Sequence, residues 1–401
     1  MREFSLASKF SDSRYADSVL HRTPRRLAAF IVSNSLLLPI GAAAALLWAN
    51  TAPEVYFRFT GHAHFIVNDV GMTLFFALAA KEIVEATAPH GALHPVSKAA
   101  LPVMAAIGGM AVPAAIYLAL VTAFDVPQLR RGWAIPTATD IAFSFLIARW
   151  LFGRKHPAVP FLLLLAIADD AFGLVVLALF YPSGVVRPVA FAAVLCLALA
   201  LCWTLRRARV MQFWPYIAIG GALSWIAFFY GGLHPALALV PVVPFVPHTT
   251  RDAGLFEEPQ LPPGDPLGRF EQTLRVPAEI VLFVFGLVNA GVPVGNVGVG
   301  TWIVLVALTV GKPVGVFAAA LAGERLGARF PAALTRRDLL VLGCTAGFGF
   351  TVALFFATAA FPEGALLDQT KMGALLSFTA GPIAALVALM LRVGRFRARR
   401  H

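Results

Sequence analysis

The chain has 401 residues, of which 59% are hydrophobic and only 13% are Asp, Glu, Lys or Arg. A water-soluble globular protein needs far more charge to cover its surface, so this composition, with a mean hydropathy of +0.78, excludes that class and predicts a polytopic membrane protein. The net charge of +11 is explained by the membrane topology described below, and it gives no reason to predict nucleic-acid binding.

Apolar runs of about 20 residues are long enough to cross a bilayer as helices, and the sequence contains about twelve of them. We therefore predict an all-α fold with a polar tail at 1–26, one transmembrane domain at 27–392 and a basic tail at 393–401. A polar linker rich in Pro and Gly, residues 248–275, joins the eighth and ninth spans. The predicted spans are 27–50, 63–88, 96–123, 133–150, 158–181, 186–205, 210–230, 232–247, 276–292, 301–323, 338–361 and 371–392.

Lys and Arg residues predict the orientation, because they are enriched in cytoplasmic segments. With both termini in the cytoplasm, the outer segments hold only a few of the 32 Lys and Arg residues, and the basic tail can bind anionic lipid headgroups. The outer residues are Arg58, Arg130, Arg131, Arg187 and Lys371.

Charged side chains at helical spacing end the second span. Lys81, Glu82 and Glu85 are predicted near the inner surface, where Lys81 and Glu85 form an i, i+4 pair. Solvation at the membrane surface explains them, and a cytoplasmic cation funnel or a pH-responsive site is the alternative. Two later residues have similar alternatives: Glu271 can stabilise a helix start, and His234 can make a structural hydrogen bond.

Small side chains mark one predicted packing helix. Residues 102–117 are rich in Ala and Gly, which let helices approach closely where lipid provides no hydrophobic driving force. Three cysteines also lie in apolar spans, without the spacing of metal ligands, so they are predicted to be small core residues that form no disulfide. These are Cys196, Cys202 and Cys344.

The fourth and eleventh spans are predicted to be interrupted near the middle of the membrane. Proline removes a backbone donor in the fourth, and glycines tolerate unwound backbone in the eleventh, where protein or water can satisfy the freed groups. The alternative for the fourth span is a continuous helix with a simple kink, in which Asp140 is buried. Interruptions at corresponding places indicate inverted repeats, at 96–181 and 301–392. The unwound segments are predicted at Pro136, Thr137, Ala138, Gly347, Gly349 and Thr351.

Four ionisable side chains lie inside predicted spans: Asp140, Asp169, Asp170 and Lys312. Left unpaired, they would together cost on the order of 10 to 14 kcal/mol, so we expect them to meet. Successive helix residues point about 100° apart, so Asp169 and Asp170 cannot both face one partner equally. One carboxylate can pair with Lys312 while the other faces an ion.

Several stretches resemble the NhaA-type sodium/proton antiporters and follow the order of that family along nearly the whole chain. The resemblance implies an NhaA-like fold in the bacterial inner membrane, with inverted-topology repeats and two unwound helices that cross. The matching stretches are AAIGGMAVPA (105–114), GWAIPTATDIAF (132–143), LAIADDAFG (165–173), GKPVG (311–315) and GFGFTVALF (347–355), with NAGV (289–292) as a weaker match.

The resemblance also implies a role for each residue of the site. Asp170 would be the principal ligand of Na⁺ or Li⁺, and Thr139 an additional one. Asp169 would take part in ion and proton binding and would pair with Lys312 until the ion binds. Asp140 and Lys312 would offset the dipoles of the half-helices that face each other.

The implied function is electrogenic exchange of cytoplasmic Na⁺ or Li⁺ for external H⁺, without a cofactor and without an enzymatic reaction. Two close carboxylates in a poorly solvated pocket cannot both ionise readily, so a proton and a Na⁺ would exclude each other. Asp169 and Lys312 are the two alternatives for carrying the extra proton. A Na⁺-coupled symporter of related fold, or an antiporter of this type for another cation, is the alternative function.

A homodimer is a further implication of the resemblance. The outer loop predicted between the first two spans, residues 51–62, has no room for the β-hairpin through which characterised relatives dimerise. The end of the second span also departs from the family, because only Glu82 of its charged pattern is in place.

Overall fold

The computed structural model describes residues 37–89, 91–93, 96–248, 265–328, 330–331 and 334–396. Every regular element in these ranges is helical, which confirms the prediction of an all-α protein. Among the described residues, six helices are long and apolar enough to span a membrane, and two bent helix pairs raise that number to as many as eight. The chain is therefore a multi-pass membrane protein, and the count of twelve spans stays a prediction. The predicted tail at 1–26, residues 249–264 of the linker and residues 397–401 lie outside the described ranges.

The first half of the chain folds into five α-helices and one long 3-10 helix, Pro127–Thr137, which precedes the fourth α-helix. The second helix contains a π-helical stretch at Ile66–Gly71. The helices are α1 (Leu37–Thr51), α2 (Pro53–Thr87), α3 (Val96–Ala123), α4 (Ile141–Phe152) and α5 (Ala158–Phe180).

The second half contains eight more helices, of which the last two are joined by the 3-10 turn Ser377–Thr379. The seventh begins with a π-helical stretch at Tyr216–Gly221, and the ninth contains another at Ala307–Gly311. The helices are α6 (Pro188–Arg207), α7 (Tyr216–Gly231), α8 (Pro266–Asn289), α9 (Val299–Arg325), α10 (Arg336–Ala346), α11 (Phe350–Ala360), α12 (Ala365–Leu376) and α13 (Ala380–Met390).

Several helices begin where the sequence supplies a start signal. Pro53, Pro188 and Pro266 stand at the first helical position, where the missing N–H has no intrahelical partner to lose. At the start of α10, Thr335 and Asp338 cap each other: the Asp338 N–H donates to the Thr335 hydroxyl at 3.2 Å, and the Thr335 N–H donates to the Asp338 carboxylate at 2.8 Å. These local signals position the helices before any tertiary contact is considered.

Three predicted boundaries are wrong. The outer loop predicted at 51–62 is helical from Pro53 onwards, because its aromatic residues extend the apolar pattern of α2. The predicted eighth span, 232–247, contains short 3-10 turns in place of a helix, because its four prolines lack backbone donors. Helix α8 begins at Pro266, inside the linker predicted at 248–275, so the connection is shorter than expected.

Two single residues also lie elsewhere than predicted. Lys371 was expected in an outer loop, but it lies within α12 and is only 8% exposed. Cys196 was expected in the core but is exposed, because little of α6 is buried by other helices. Cys202 and Cys344 are buried, as expected for small core residues.

Helices α3 and α9 are in close contact through residues of the segment 102–117, which is rich in small side chains. A Cβ added to Gly108 would lie 2.4 Å from the carbonyl oxygen of Gly315, and a Cβ added to Gly315 would lie 2.1 Å from the carbonyl oxygen of Gly108. Only glycine permits this backbone approach. The contact holds α9 close to α3 one turn away from Lys312.

Candidate ion-binding site

Two interrupted helices meet at the centre of the described residues. The 3-10 helix Pro127–Thr137 and α4 are bent by 53° at residues 138–140, and α10 and α11 are bent by 48° at residues 347–349. Hydrogen bonds join the two interrupted segments. The Asp140 N–H donates to the carbonyl oxygen of Phe348 at 2.6 Å, and the Thr139 hydroxyl donates to the carbonyl oxygen of Ala346 at 3.2 Å. The backbone groups that the breaks free are therefore partly satisfied within the protein.

Asp140 caps both of the helices that follow the breaks. Its carboxylate accepts from the N–H of Phe143 at 3.3 Å in α4, and from the N–H of Thr351 at 3.3 Å in the first turn of α11. The Thr351 hydroxyl donates to the same carboxylate. Both helix N-termini carry a partial positive charge, so one buried carboxylate stabilises the two together.

Lys312 lies in the middle of α9, directly after the π-helical stretch, and its side chain is fully buried. Its Nζ donates to Oδ2 of Asp169 at 2.8 Å, and also to the carbonyl oxygen of Thr137, the last residue of the 3-10 helix. The ammonium thus offsets both a carboxylate and the negative end of a helix. A Cβ added to the neighbouring Gly109 would make an ordinary contact with Cε of Lys312 at 3.9 Å but would lie only 2.9 Å from Cγ2 of Val316, so glycine there permits close packing against α9.

The two adjacent aspartates have different surroundings. The Asp169 side chain is 1% exposed; beside its ion pair through Oδ2, its Oδ1 has no hydrogen-bond partner in the part of the chain that the structure describes. Asp170 is partly exposed and lines a cavity of about 360 Å³. Thr139 and Asp140 line the same cavity, so two of the three predicted ion-binding residues, Thr139 and Asp170, lie there together.

This cavity is open to the protein surface, and its lining shows toward which end of the molecule it extends. Its lining includes Glu82 in the last turns of α2, Arg149 in the last turn of α4 and Arg275 early in α8, so it extends toward the end of the molecule where these helix termini lie. By the distribution of Lys and Arg, that end is the predicted cytoplasmic side.

An aromatic layer lies on the opposite side of the aspartates. A second cavity there, lined by Asp169, Asp170 and three buried phenylalanines among other residues, measures only about 10 Å³, which is room for a single water. The rings of Phe76 and Phe355 pack edge to face with centroids 5.0 Å apart. The third phenylalanine is Phe356.

The charged residues predicted near the inner surface form one cluster. Lys81 Nζ lies 2.6 Å from the carboxylate of Glu85 and 2.5 Å from that of Glu271, although the Lys81 residue is only 6% exposed. Glu271 stands in the second turn of α8, so the pair joins α2 to α8 beside the cavity that Glu82 lines. These four residues therefore lie together.

His234 lies apart from that cluster. It precedes the 3-10 turn Pro235–Leu237 and its Nδ1 accepts from the N–H of Ala236 at 3.4 Å, which is the structural hydrogen bond considered above. The same nitrogen is 3.8 Å from Asp69, and the ring packs on Phe355 at 4.8 Å between centroids. His234 therefore contacts the aromatic layer and not the open cavity.

Some polar residues near the site were missed by the sequence analysis. Arg149, Arg275 and Glu279 line the open cavity, and Asn68 and Asn289 exchange amide hydrogen bonds of 3.1 and 2.8 Å between α2 and α8. Their position inside the predicted second and ninth spans, where polar side chains are costly, is the signal that could have indicated Glu279 and both asparagines.

No group of three or more His, Cys, Asp or Glu side chains able to hold a metal ion occurs in the described ranges. A Na⁺ at the aspartate pair would thus need other oxygen ligands. Na⁺ is a hard cation that accepts hydroxyl, carbonyl and water oxygens, and Thr139 with the unwound backbone offers them beside Asp170.

Comparison with known proteins settles the relationship that these motifs suggest. The sequence model of the family described as "Na+/H+ antiporter 1" matches residues 26–391. The chain belongs to this family. This confirms the resemblance stated from the motifs, because the match covers the stretches that carried it and nearly all of the chain.

Individual relatives within the Na⁺/H⁺ antiporter family align over almost their whole length. The Na(+)/H(+) antiporter NhaA 2 of Pelobacter propionicus is 47% identical over 371 residues, which cover 90% of this chain and 96% of the relative. The Na(+)/H(+) antiporter NhaA of Geotalea uraniireducens is 45% identical, with 90% and 95% covered. That of Desulfitobacterium hafniense is 42% identical, with 94% and 98% covered. These relatives are named as antiporters, which are transporters and not enzymes.

Proposed function

We propose that the chain exchanges cytoplasmic Na⁺ or Li⁺ for external H⁺ across the bacterial inner membrane, with both termini in the cytoplasm. Membership of the Na⁺/H⁺ antiporter family supports the exchange of Na⁺ and H⁺. The observation that carries the assignment of the site is the position of Asp170. It lines the open cavity, next to the buried Asp169–Lys312 pair.

In the proposed cycle, a Na⁺ enters the open cavity and binds Asp170, with the Thr139 hydroxyl or nearby backbone oxygens completing its shell. A second carboxylate becomes available when Asp169 leaves Lys312. The Nζ of Lys312 keeps its contact with the carbonyl oxygen of Thr137. Asp140 stays in place as the cap of α4 and α11.

Exchange follows from competition for these carboxylates. Protons and Na⁺ exclude each other from the site, and only the loaded site passes between the two sides, so one kind of ion leaves as the other binds. When Na⁺ binds, Asp170 releases one proton and the separated Asp169–Lys312 pair releases a second, from Asp169 or from Lys312, so two protons exchange for one Na⁺ and the cycle is electrogenic. No cofactor takes part, because the ion gradients supply the free energy.

The test is proton movement in everted membrane vesicles, reported by a ΔpH-sensitive dye on addition of Na⁺, Li⁺ or K⁺. We expect Na⁺ and Li⁺ to move protons in the wild type and not in Asp170→Asn. The matched control is Asp125→Asn, the same change at an exposed turn with φ 52°, a backbone conformation that Asn tolerates well. Full activity of Asp170→Asn would refute the assignment of Asp170.

The same vesicles distinguish the second candidate, a Na⁺-coupled symporter. A symporter would accumulate an organic substrate when Na⁺ is supplied, and its Na⁺ flux would not require a proton gradient. A response to K⁺ with none to Na⁺ would instead indicate an antiporter for another cation.

A further inference from the structure

Glu279 is a carboxylate that has no role in the exchange proposed above. It lies near the middle of the 24-residue helix α8, followed by the apolar run Ile280–Phe283, and is 7% exposed. It lies one turn inside the predicted ninth span, 276–292, where an ionisable residue is costly and is a candidate functional position. Its surroundings show what it could do.

Glu279 lines the same cavity as Asp170. That lining also contains two arginines, Arg149 in α4 and Arg275, which stands one helical turn before Glu279. Guanidinium groups are always charged, so they repel a cation that enters the cavity. The carboxylates of the lining are those of Glu82, Asp140, Asp170 and Glu279.

The other carboxylates of the lining do not offset these guanidiniums equally well. Asp140 is held by the N–H groups of two helices, and Asp170 is the proposed ligand. Glu82 stands in the last turns of α2, beside the cluster around Lys81. Glu279 is the lining carboxylate on the same helix as Arg275, and it therefore stands where it can neutralise that charge inside the cavity.

We propose that Glu279 is a positioning residue that keeps the open cavity attractive to cations, by offsetting Arg275 and Arg149. It thereby raises the local Na⁺ concentration at Asp170 without binding the ion in the transported state. Charged groups that line a narrow cleft with low-dielectric walls act on an entering ion in this way. The inference rests on the proposed Na⁺/H⁺ exchange.

The test is the Na⁺ dependence of proton movement in vesicles for Glu279→Gln. We expect the KM for Na⁺ to rise about three- to tenfold at an unchanged maximal rate, and the difference to shrink as ionic strength increases. Glu279→Asp, which keeps the charge, should restore the KM. Arg275→Gln should have the opposite effect and lower it.

The matched control is Glu324→Gln, which neutralises a carboxylate at the end of α9 that pairs with Arg336 at 3.2 Å outside the cavity. Its KM should equal that of the wild type. A KM for Glu279→Gln equal to that of the wild type overturns the inference. So does a lower maximal rate at unchanged KM, because that result indicates a structural role for Glu279.

A binding measurement separates this inference from the proposed function. Purified protein in detergent should melt at a higher temperature as Na⁺ is added, and Glu279→Gln should need about three- to tenfold more Na⁺ for the same rise. If the wild type moves no protons on addition of Na⁺, the proposed function fails. If the wild type exchanges but both proteins respond to the same Na⁺ concentrations, only the role of Glu279 fails.

Discussion

Replacing Lys312 by Met tests the buried ion pair at the centre of the protein. The Nζ atom lies 2.8 Å from Oδ2 of Asp169, and 0% and 1% of the two side chains are exposed. Removing the ammonium leaves an uncompensated carboxylate in a dry site, which costs about 3 to 5 kcal/mol of folding free energy. Met keeps most of the side-chain volume, so the loss of folding free energy comes more from removal of the charge than from formation of a cavity.

The expected shift in melting temperature follows from the length of the chain. The entropy of unfolding is about 2.1 cal/mol/K per residue, so a loss of about 4 kcal/mol lowers the melting temperature of 401 residues by about 5 °C. A thiol-reactive fluorophore can report unfolding in detergent, because Cys202 and Cys344 are buried. The control is Lys155→Met at an exposed position, which should change stability by less than about 0.5 kcal/mol.

The double variant Lys312→Met, Asp169→Asn decides whether the two charges depend on each other. It removes both charges, so it should be more stable than Lys312→Met alone. A double variant that loses the sum of the two single losses would refute the reasoning. So would a melting temperature of Lys312→Met within about 1 °C of the wild type, a shift far below that expected from the loss of a buried partner.

Two further variants test the supports of the site by the same melting assay. Asp140→Asn should lose about 1 to 3 kcal/mol, because the amide brings an NH₂ group to a site that supplies three donors, whereas Asp125→Asn should melt like the wild type. Gly108→Ala should lose about 1 to 3 kcal/mol, because its Cβ would meet the carbonyl oxygen of Gly315 at 2.4 Å. Gly61→Ala is its control, with nothing within 4 Å, and equal stability of the two would contradict the account of the α3–α9 contact.

The meeting of the charged residues could be predicted because a membrane offers an isolated charge no water. That argument required a partner for Lys312, and the structure places Asp169 there. The spacing of Asp169 and Asp170 does not show which of them pairs with Lys312. The resemblance to the family assigned that role to Asp169. The physical difference is position: one aspartate points to the ion pair and the other lines the open cavity.

Some features could not be predicted, because hydrophobicity reports burial and not helix geometry. Residues 127–137 form a 3-10 helix. Residues 53–65 are helical, although their polar side chains favoured the prediction of a loop. Glu279 was missed because a count of apolar residues over the ninth span tolerates one carboxylate. Its importance depends on a cavity formed by helices distant in sequence, which no local pattern describes.

The cavity on one side of the aspartates determines where the membrane voltage falls. Water in that cavity takes the potential of the solution it opens to, so most of the voltage falls across the packed layer of Phe76, Phe355 and Phe356. In the proposed exchange, a cation that reaches Asp170 from the open side crosses little of the electric field. Moving one charge past the aromatic layer crosses the rest of the membrane voltage, which is worth about 2.3 kcal/mol per 100 mV. Voltage should therefore change the rate of turnover much more than the affinity for Na⁺.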